Sequence, residues 1–314
     1  MNYRHIYHAG NFADVFKHII LTLILTYMQR KPAAFRVIDT HAGTGLYDLA
    51  SEAAQKTAEG ESGLFRFLNS LTPEVIKGES ADYPKILRYI AERYPLISSY
   101  MQALASANKF GAAADGKAQA PLRYYPGSPL ITRSILRKQD RLTAIEFHPK
   151  EYDKLKAHFA GDYQSRILHL DGYLALKAQL PPKEKRGLIL VDPPFEEQDE
   201  FSVLTEGISQ ALRRFPQGGY MIWYPVKNYR AIQNFTKEII QSAEPHNECS
   251  VLQAELRIRR PSPASAPQLD GSGLMLINPP YILSEQMKQL EPLFLAAFAE
   301  DSHAALRQIW LKKG

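Results

Sequence analysis

Phe35-Arg36-Val37-Ile38-Asp39 runs without interruption into Thr40-His41-Ala42-Gly43-Thr44-Gly45. The apolar run ending on a carboxylate reads as a short buried strand. The glycines read as a tight turn, the combination that opens a nucleotide-binding α/β sheet. The turn lacks the G-x-G-x-x-G spacing of dinucleotide folds and the Lys-Ser/Thr pair of a P-loop. Taken alone, a plain strand-to-helix turn explains it better, so the flanking sequence has to decide.

Upstream, Phe12, Val15, Phe16, Ile19, Ile20, Leu23, Ile24 and Tyr27 recur at helical spacing, which predicts a helix over about residues 12–30 with an apolar stripe facing the sheet. Downstream, α/β alternation does not resume at once. Residues 48–120 read as an inserted helical subdomain, with helices best supported at 84–90 and 96–105. The Ala/Gly/Lys-rich stretch 105–120 lacks apolar periodicity and reads as mobile. The main domain is then residues 1–47 and 121–314. After Tyr124-Tyr125-Pro126-Gly127-Ser128-Pro129, strands are expected at 142–146, 166–170, 187–192 and 219–224, with helices at 130–138, after His148-Pro149, from Gly172 and at 227–242. Strand-like segments at 251–259 and 274–278 have no helix between them and predict a closing antiparallel pair, with one helix and a short tail behind. The expected fold is α/β, a mostly parallel, doubly wound Rossmann-like sheet of the class I S-adenosylmethionine-dependent methyltransferase type.

The chain has 314 residues, 45% of them hydrophobic and 23% charged, which suits one large α/β domain or two smaller ones. No apolar stretch reaches membrane-spanning length, and residues 19–27 are too short and wrongly flanked for a secretory signal. A cytoplasmic, non-membrane protein is expected. A single cysteine, Cys249, excludes an internal disulfide and a cysteine-cluster metal site. The net charge of +5 and pI near 9.0 are compatible with a polyanionic partner.

In an open parallel sheet, ligands sit beyond the carboxyl ends of the strands. There the sequence places Asp39, Glu146, Asp171-Gly172 and Asp192-Pro193-Pro194-Phe195. Glu146 could accept from two ribose hydroxyls, or be a solvated strand terminus. Asp171 could accept from an adenine amino group while the Gly172 N–H donates to the ring, or simply cap a helix. Asp192-Pro193-Pro194-Phe195 is the sharpest signal. Two prolines remove two donors and stiffen the turn, so the carboxylate and the Pro193 carbonyl can face one amino group, with the Phe195 ring beside an unstacked base. Accepting protons from the amino group localises its lone pair for attack on a sulfonium methyl. Asn278-Pro279-Pro280-Tyr281 matches the same tetrapeptide pattern, but its place after the closing strand pair argues against a catalytic role. The N-terminal Tyr3, His5, His8, Asp14, Lys17 and His18 crowd polar and ring-bearing groups ahead of the first strand. They read as an arm covering substrate or cofactor, with Lys17 near a phosphate, and no metal is expected there.

Tyr3-Arg4-His5, His8-Ala9-Gly10-Asn11, Ala13-Asp14-Val15, Lys17-His18, Asp39-Thr40-His41-Ala42-Gly43, Tyr124 through Pro129, Asp192-Pro193-Pro194 and Trp223-Tyr224-Pro225 together resemble the bacterial large-subunit ribosomal RNA methyltransferase J family, nearly end to end. The resemblance implies N(6)-methylation of an adenine in 23S rRNA, naked or in an early assembly particle, by a monomer that needs no obligate protein partner, with S-adenosyl-L-methionine as cofactor. It implies cofactor contacts from His18, His41, Ser128, Glu146, Asp171, Gly172 and Asp192. It makes Asp192 the proton acceptor and places Tyr3, His5 and Lys17 near the target adenine. Phe195 departs from the tyrosine expected in that motif, keeping the ring and losing a hydroxyl. Two other readings compete. A DNA adenine amino-methyltransferase would carry a separate target-recognition block, and a non-catalytic Rossmann-like RNA-binding protein would not need Asp192-Pro193-Pro194 and Glu146 intact.

Overall fold

The computed structural model describes residues 5–77, 82–115, 122–196, 199–263 and 265–314. Helix α1 (Phe12–Met28) leads to β1 (Arg36–Asp39) and β2 (Leu46–Asp48). Helices α2 (Glu52–Thr57), α3 (Arg66–Leu71), α4 (Glu74–Lys77), α5 (Tyr83–Arg93) and α6 (Ser98–Asp115) precede β3 (Tyr124–Pro126). Then come α7 (Ser128–Ile135), β4 (Arg141–Glu146), α8 (Pro149–His158), β5 (Ser165–His169), α9 (Gly172–Ala178) and β6 (Gly187–Val191). The chain continues through α10 (Glu200–Arg214), β7 (Gly219–Val226), α11 (Tyr229–Ala243), β8 (Val251–Arg257), β9 (Gly271–Ile277), α12 (Leu283–Phe298) and β10 (Ala305–Lys312).

Eight strands form one sheet in the order β10-β8-β9-β7-β6-β1-β4-β5. Strands β5, β4, β1, β6 and β7 are parallel, while β9 runs antiparallel to both β7 and β8. The expected doubly wound sheet and its antiparallel closing pair are therefore present, and the architecture is that of the class I methyltransferases. Alternate strand residues feed two cores. Val37, Leu188 and Leu190 face one, and Ile38, Ile189 and Val191 face the other, as expected for strands covered on both sides. Helices α9, α10 and α11 cover the second face. On the first, α1 and α12 share one continuous core with α3, α5 and α6.

Four expectations change. Helix α1 is not one-sided: Leu21 and Leu25, off the apolar stripe, are as buried as Val15 and Phe16, because α7 and α6 pack on α1 as well as the sheet. The alanine-rich stretch is helical as far as Asp115, where α6 ends; the rest of it lies outside the described residues. Gly111 explains why: a Cβ there would meet the Tyr124 ring at 2.4 Å, so the helix packs closely on β3 although its apolar pattern is weak. Helix α10 had no counterpart in the sequence reading. The C-terminal tail is an edge strand, with β10 antiparallel to β8. A ribbon of β2 paired with β3 closes the segment that holds α2 to α6. Among the described residues no helix is long and apolar enough to cross a membrane.

Candidate active site

Strands β1, β4, β5 and β6 all end at one edge, and the strand order reverses between β1 and β6, the point where such sheets open a crevice. A cleft with about 700 Å³ of empty space lies here, lined by His5, Lys17, His18, His41, Gly43, Ser128, Glu146, Asp192 and Pro194 among others. Groups from the N-terminal segment, the glycine turn, the β3–α7 turn and the β6 exit thus meet in one place. Asp171, Gly172, Pro193 and Phe195 lie outside its wall. Tyr3 lies outside the described residues.

The Gly43 backbone is left-handed, with φ of 60°, and a Cβ there would strike the Tyr47 hydroxyl at 2.0 Å. Only glycine suits that turn. Its N–H donates to Glu146 Oε2 at 2.8 Å, and the His148 N–H donates to Oε1 at 2.7 Å. Burial raises the Glu146 carboxyl, against the lowering effect of these two N–H groups. Asp39, at the end of β1, is fully buried. Its Oδ2 accepts from the Ser128 hydroxyl at 2.6 Å and its Oδ1 has no partner. Burial lifts this carboxyl to about 7. In the sequence Asp39 shows only as a strand terminus, and no local pattern connects it to Ser128, 89 residues away.

Asp171 caps α9, its Oδ1 accepting from the Tyr173 and Leu174 N–H groups at 2.9 Å, so the helix-cap alternative holds. A Cβ on Gly172 would meet the Thr40 carbonyl oxygen at 2.4 Å and the His41 ring at 2.7 Å, so close packing of α9 on the glycine turn requires that residue. Burial pushes the His41 imidazole down to about 4. Phe195 has φ of 52°, and its ring packs against Phe201 and Trp223 at centroid distances of 4.8 and 5.7 Å.

The N-terminal segment reaches the cleft because the insertion holds it. The Leu64 N–H donates to the Gly10 carbonyl at 2.7 Å, and Glu59 receives His8 at 2.8 Å and the Asn11 side chain at 3.0 Å. Asn11 caps α1, and Asp14 in its first turn accepts from the Gly10 N–H at 3.0 Å and from His5 at 2.9 Å. Lys17, one turn on, pairs with Asp14 at 2.9 Å and also with Asp192. Its expected contact with a solvent-side phosphate needs correction. Lys17 is only 3% exposed, and its ammonium is committed to two carboxylates. Burial disfavours that charge, yet Asp14 and Asp192 hold the pKa above lysine's ordinary value. Burial likewise opposes the Asp14 charge, but His5 and Lys17 keep its carboxyl well below the usual range. Asp14 is the residue whose site role the sequence understated; its spacing of three from Lys17 was the available signal. Among the described residues no group of three or more His, Cys, Asp or Glu side chains is placed to hold a metal ion.

His18 is buried at 2% exposure, its Nδ1 2.8 Å from the Tyr125 hydroxyl, and burial pushes its pKa down to about 3. The unfolded chain takes up this proton below about pH 6.5 and the folded chain does not. Stability is therefore complete above pH 6.5 and falls as the pH drops toward 3. Between pH 8 and 5 this histidine is expected to cost about 2 kcal/mol of unfolding free energy. His18→Gln should flatten the slope of denaturant-derived stability against pH, and an unchanged slope would remove His18 as its cause.

Asn278 sits at the far edge. Because β9 is antiparallel to β7, Ile277 pairs with Tyr220 near the start of β7, so Asn278 is a sheet's length from Asp192. Its Nδ2 donates to the Pro216 and Gly218 carbonyls at 2.7 and 2.8 Å, and its Oδ1 accepts from the Ser250 N–H at 3.1 Å.

Comparison with known proteins gives the chain's family. Residues 32–90 and 99–312 match the family described as ribosomal RNA large subunit methyltransferase D, RlmJ. The chain is 36% identical over 292 residues to ribosomal RNA large subunit methyltransferase J of Escherichia coli, covering 93% of this chain and 92% of the relative. It is 34% identical over 311 residues to the protein of that name from Haemophilus influenzae, covering 99% of each. It also resembles the crystal structure of LPL1258 from Legionella pneumophila, with TM-score 0.75, 30% identity and 98% of both chains covered. The chain therefore belongs to the ribosomal RNA large subunit methyltransferase J family.

Proposed function

We propose that this protein methylates the exocyclic amino group of one adenine in 23S rRNA, with S-adenosyl-L-methionine as methyl donor. The observation that carries the reading is the meeting of Asp192, Lys17, His5 and Glu146 in one cleft at the switch point of the sheet. The cleft suits the cofactor's chemistry. The buried Glu146 carboxyl and the Ser128 hydroxyl, both on the cleft wall, suit a ligand bearing ribose hydroxyls. When bound, the cofactor supplies an electrophilic methyl group.

The chain's own residues do the rest. Glu146 accepts from ribose hydroxyls, and His18, His41, Ser128, Asp171 and Gly172 complete the surrounding shell. Asp192 and the Pro193 carbonyl accept from the target amino group and draw its lone pair out of conjugation, and Asp192 takes the proton that leaves. Lys17 fixes the Asp192 carboxylate, with Asp14 balancing its charge. Pro194 and the Phe195 ring border the extruded base, and His5 approaches it from the arm, with Tyr3 assigned to the same substrate. Residues 48–120 act as an inserted helical subdomain on a main domain of residues 1–47 and 121–314, with the insertion holding the arm over the cleft.

Incubation of the protein with labelled S-adenosyl-L-methionine and protein-free 23S rRNA should place label in N(6)-methyladenosine after nuclease digestion. Unlabelled RNA, or label in another nucleoside, would refute the reading. Within it, Glu146→Ala should weaken cofactor binding by about 1.5–3 kcal/mol, the range for a hydrogen bond to a charged group. Calorimetry on a folded variant with unchanged affinity would remove Glu146 from the cofactor site.

A further inference from the structure

The chain's positive charge is not gathered at the cleft. Segments 30–36, 137–141 and 183–186 meet at the opposite edge of the sheet, where β1, β4 and β6 begin. They hold nine Lys or Arg and two carboxylates, a net charge of +7. The whole chain carries +5, so everything else, the cleft rim included, sums to −2. Part of the cluster has structural work. Arg137 and Arg186 donate to backbone carbonyls at the end of α1 and just beyond it, where a helix terminus attracts cations. The two carboxylates are also taken up, Asp140 by Arg137 and Glu184 by Arg36.

Arg141 donates to the Lys138 and Asp140 carbonyls, which leaves Arg30, Lys31, Lys138, Lys183 and Lys185, all exposed. None of the five forms an ion pair among the described residues. Beside them opens a cleft with about 1210 Å³ of empty space, lined by Lys31, Lys185 and Arg186 and by no carboxylate. Tyr281 stands at its wall, 76% exposed, edge-on to Tyr27 at 5.9 Å. It belongs to the Asn278-Pro279-Pro280-Tyr281 motif, which catalysis leaves unused. Cations without carboxylate partners, Arg30 lying over the Tyr27 ring, beside the exposed Tyr281 ring suit a phosphate backbone with a base free to stack.

We infer that this edge is a second RNA-binding surface, engaging substrate RNA at a distance from the target adenine. The inference rests on the rRNA reading above. Strand β6 alone, at five residues, separates the two edges by roughly 17 Å, so only an RNA long enough to pass around the sheet reaches both. Phosphate contacts of this kind add affinity and orientation without reading sequence.

The test compares wild type with the combined Lys31→Glu, Lys138→Glu, Lys185→Glu variant, on a long 23S rRNA fragment and on a short hairpin that carries the target adenine and cannot span the sheet. For the long RNA, Kd should rise at least about tenfold near 0.1 M salt. The slope of log Kd against log salt should become shallower by about two to three. For the hairpin, Kd should be little changed, and turnover at saturating RNA and calorimetric cofactor affinity should stay within twofold of wild type for both RNAs. Tyr281→Ala should weaken the long RNA alone, by several-fold. If wild type methylates the long RNA while the charge-reversed variant binds it with unchanged Kd and salt slope, this surface is not an RNA site. Equal weakening of long RNA and hairpin would also overturn it, by placing the lost contacts within reach of the cleft. If wild type methylates neither RNA, it is the rRNA reading that has failed.

Discussion

Asp192→Ala is expected to lower methyl-transfer turnover by about 10²–10⁴-fold, the range for removal of a group that accepts a proton in the transition state. Asn278→Ala, in the same tetrapeptide pattern, is expected to keep turnover within a few-fold. The two side chains stand at opposite edges of the sheet. Asp192 lines the cleft beside Lys17, whereas Asn278 ties the Pro216 and Gly218 carbonyls to the end of β9. The Asn278 variant should instead lose stability, by about 1–3 kcal/mol for buried groups left unpaired. Single-turnover rates at saturating cofactor and RNA, with denaturant unfolding on the same preparations, separate the effects. A folded, inactive Asn278→Ala protein, or an active Asp192→Ala protein, would reverse the assignment.

Lys17→Met is expected to produce the second large effect, on stability as well as turnover. Lys17 neutralises Asp14 and Asp192 from a buried position, so its removal leaves carboxylates without their counter-charge. Removing one partner of a buried pair costs about 3–5 kcal/mol. Adding Asp14→Asn should recover part of that loss, because the second change removes an uncompensated charge. A solvent-exposed phosphate contact would behave differently. It would leave stability near wild type and make the salt dependence of RNA binding shallower by about one contact's slope. Unchanged stability with a shallower salt slope would contradict the buried pairing.

Much of this site was legible in the sequence because class I sheets deliver their functional groups at strand ends. An apolar run ending on Asp39, Glu146 or Asp192 locates the edge before any side chain is placed. The order of those runs also separated Asp192 from Asn278, since a motif after the antiparallel closing strands falls at the wrong edge. What escaped depended on contacts between distant segments. Spacing shows Asp14 and Lys17 as neighbours on a helix, but only the docking of α1 against the sheet brings Lys17 onto Asp192 and turns an expected phosphate contact into a buried ion pair. The Ser128–Asp39 bond joins separate turns in the same way. Local pattern also failed where neighbours decide burial. Leu21 and Leu25 lie off the stripe of α1 and are buried because α7 and α6 pack on that helix too. Helix α6 continues through its alanines because Gly111 fits against Tyr124. Strand β10 escaped notice because an edge strand, exposed along one side, alternates only weakly.

The most direct test of the central claim is nucleoside mapping of 23S rRNA from cells in which the gene for this protein has been deleted. A single adenine should lose its N(6)-methyl group, all other modified positions remaining. Wild-type protein should restore the methyl group, and Asp192→Ala should not, at equal protein level. An unaltered N(6)-methyladenosine map, or full restoration by the Asp192 variant, would contradict the account.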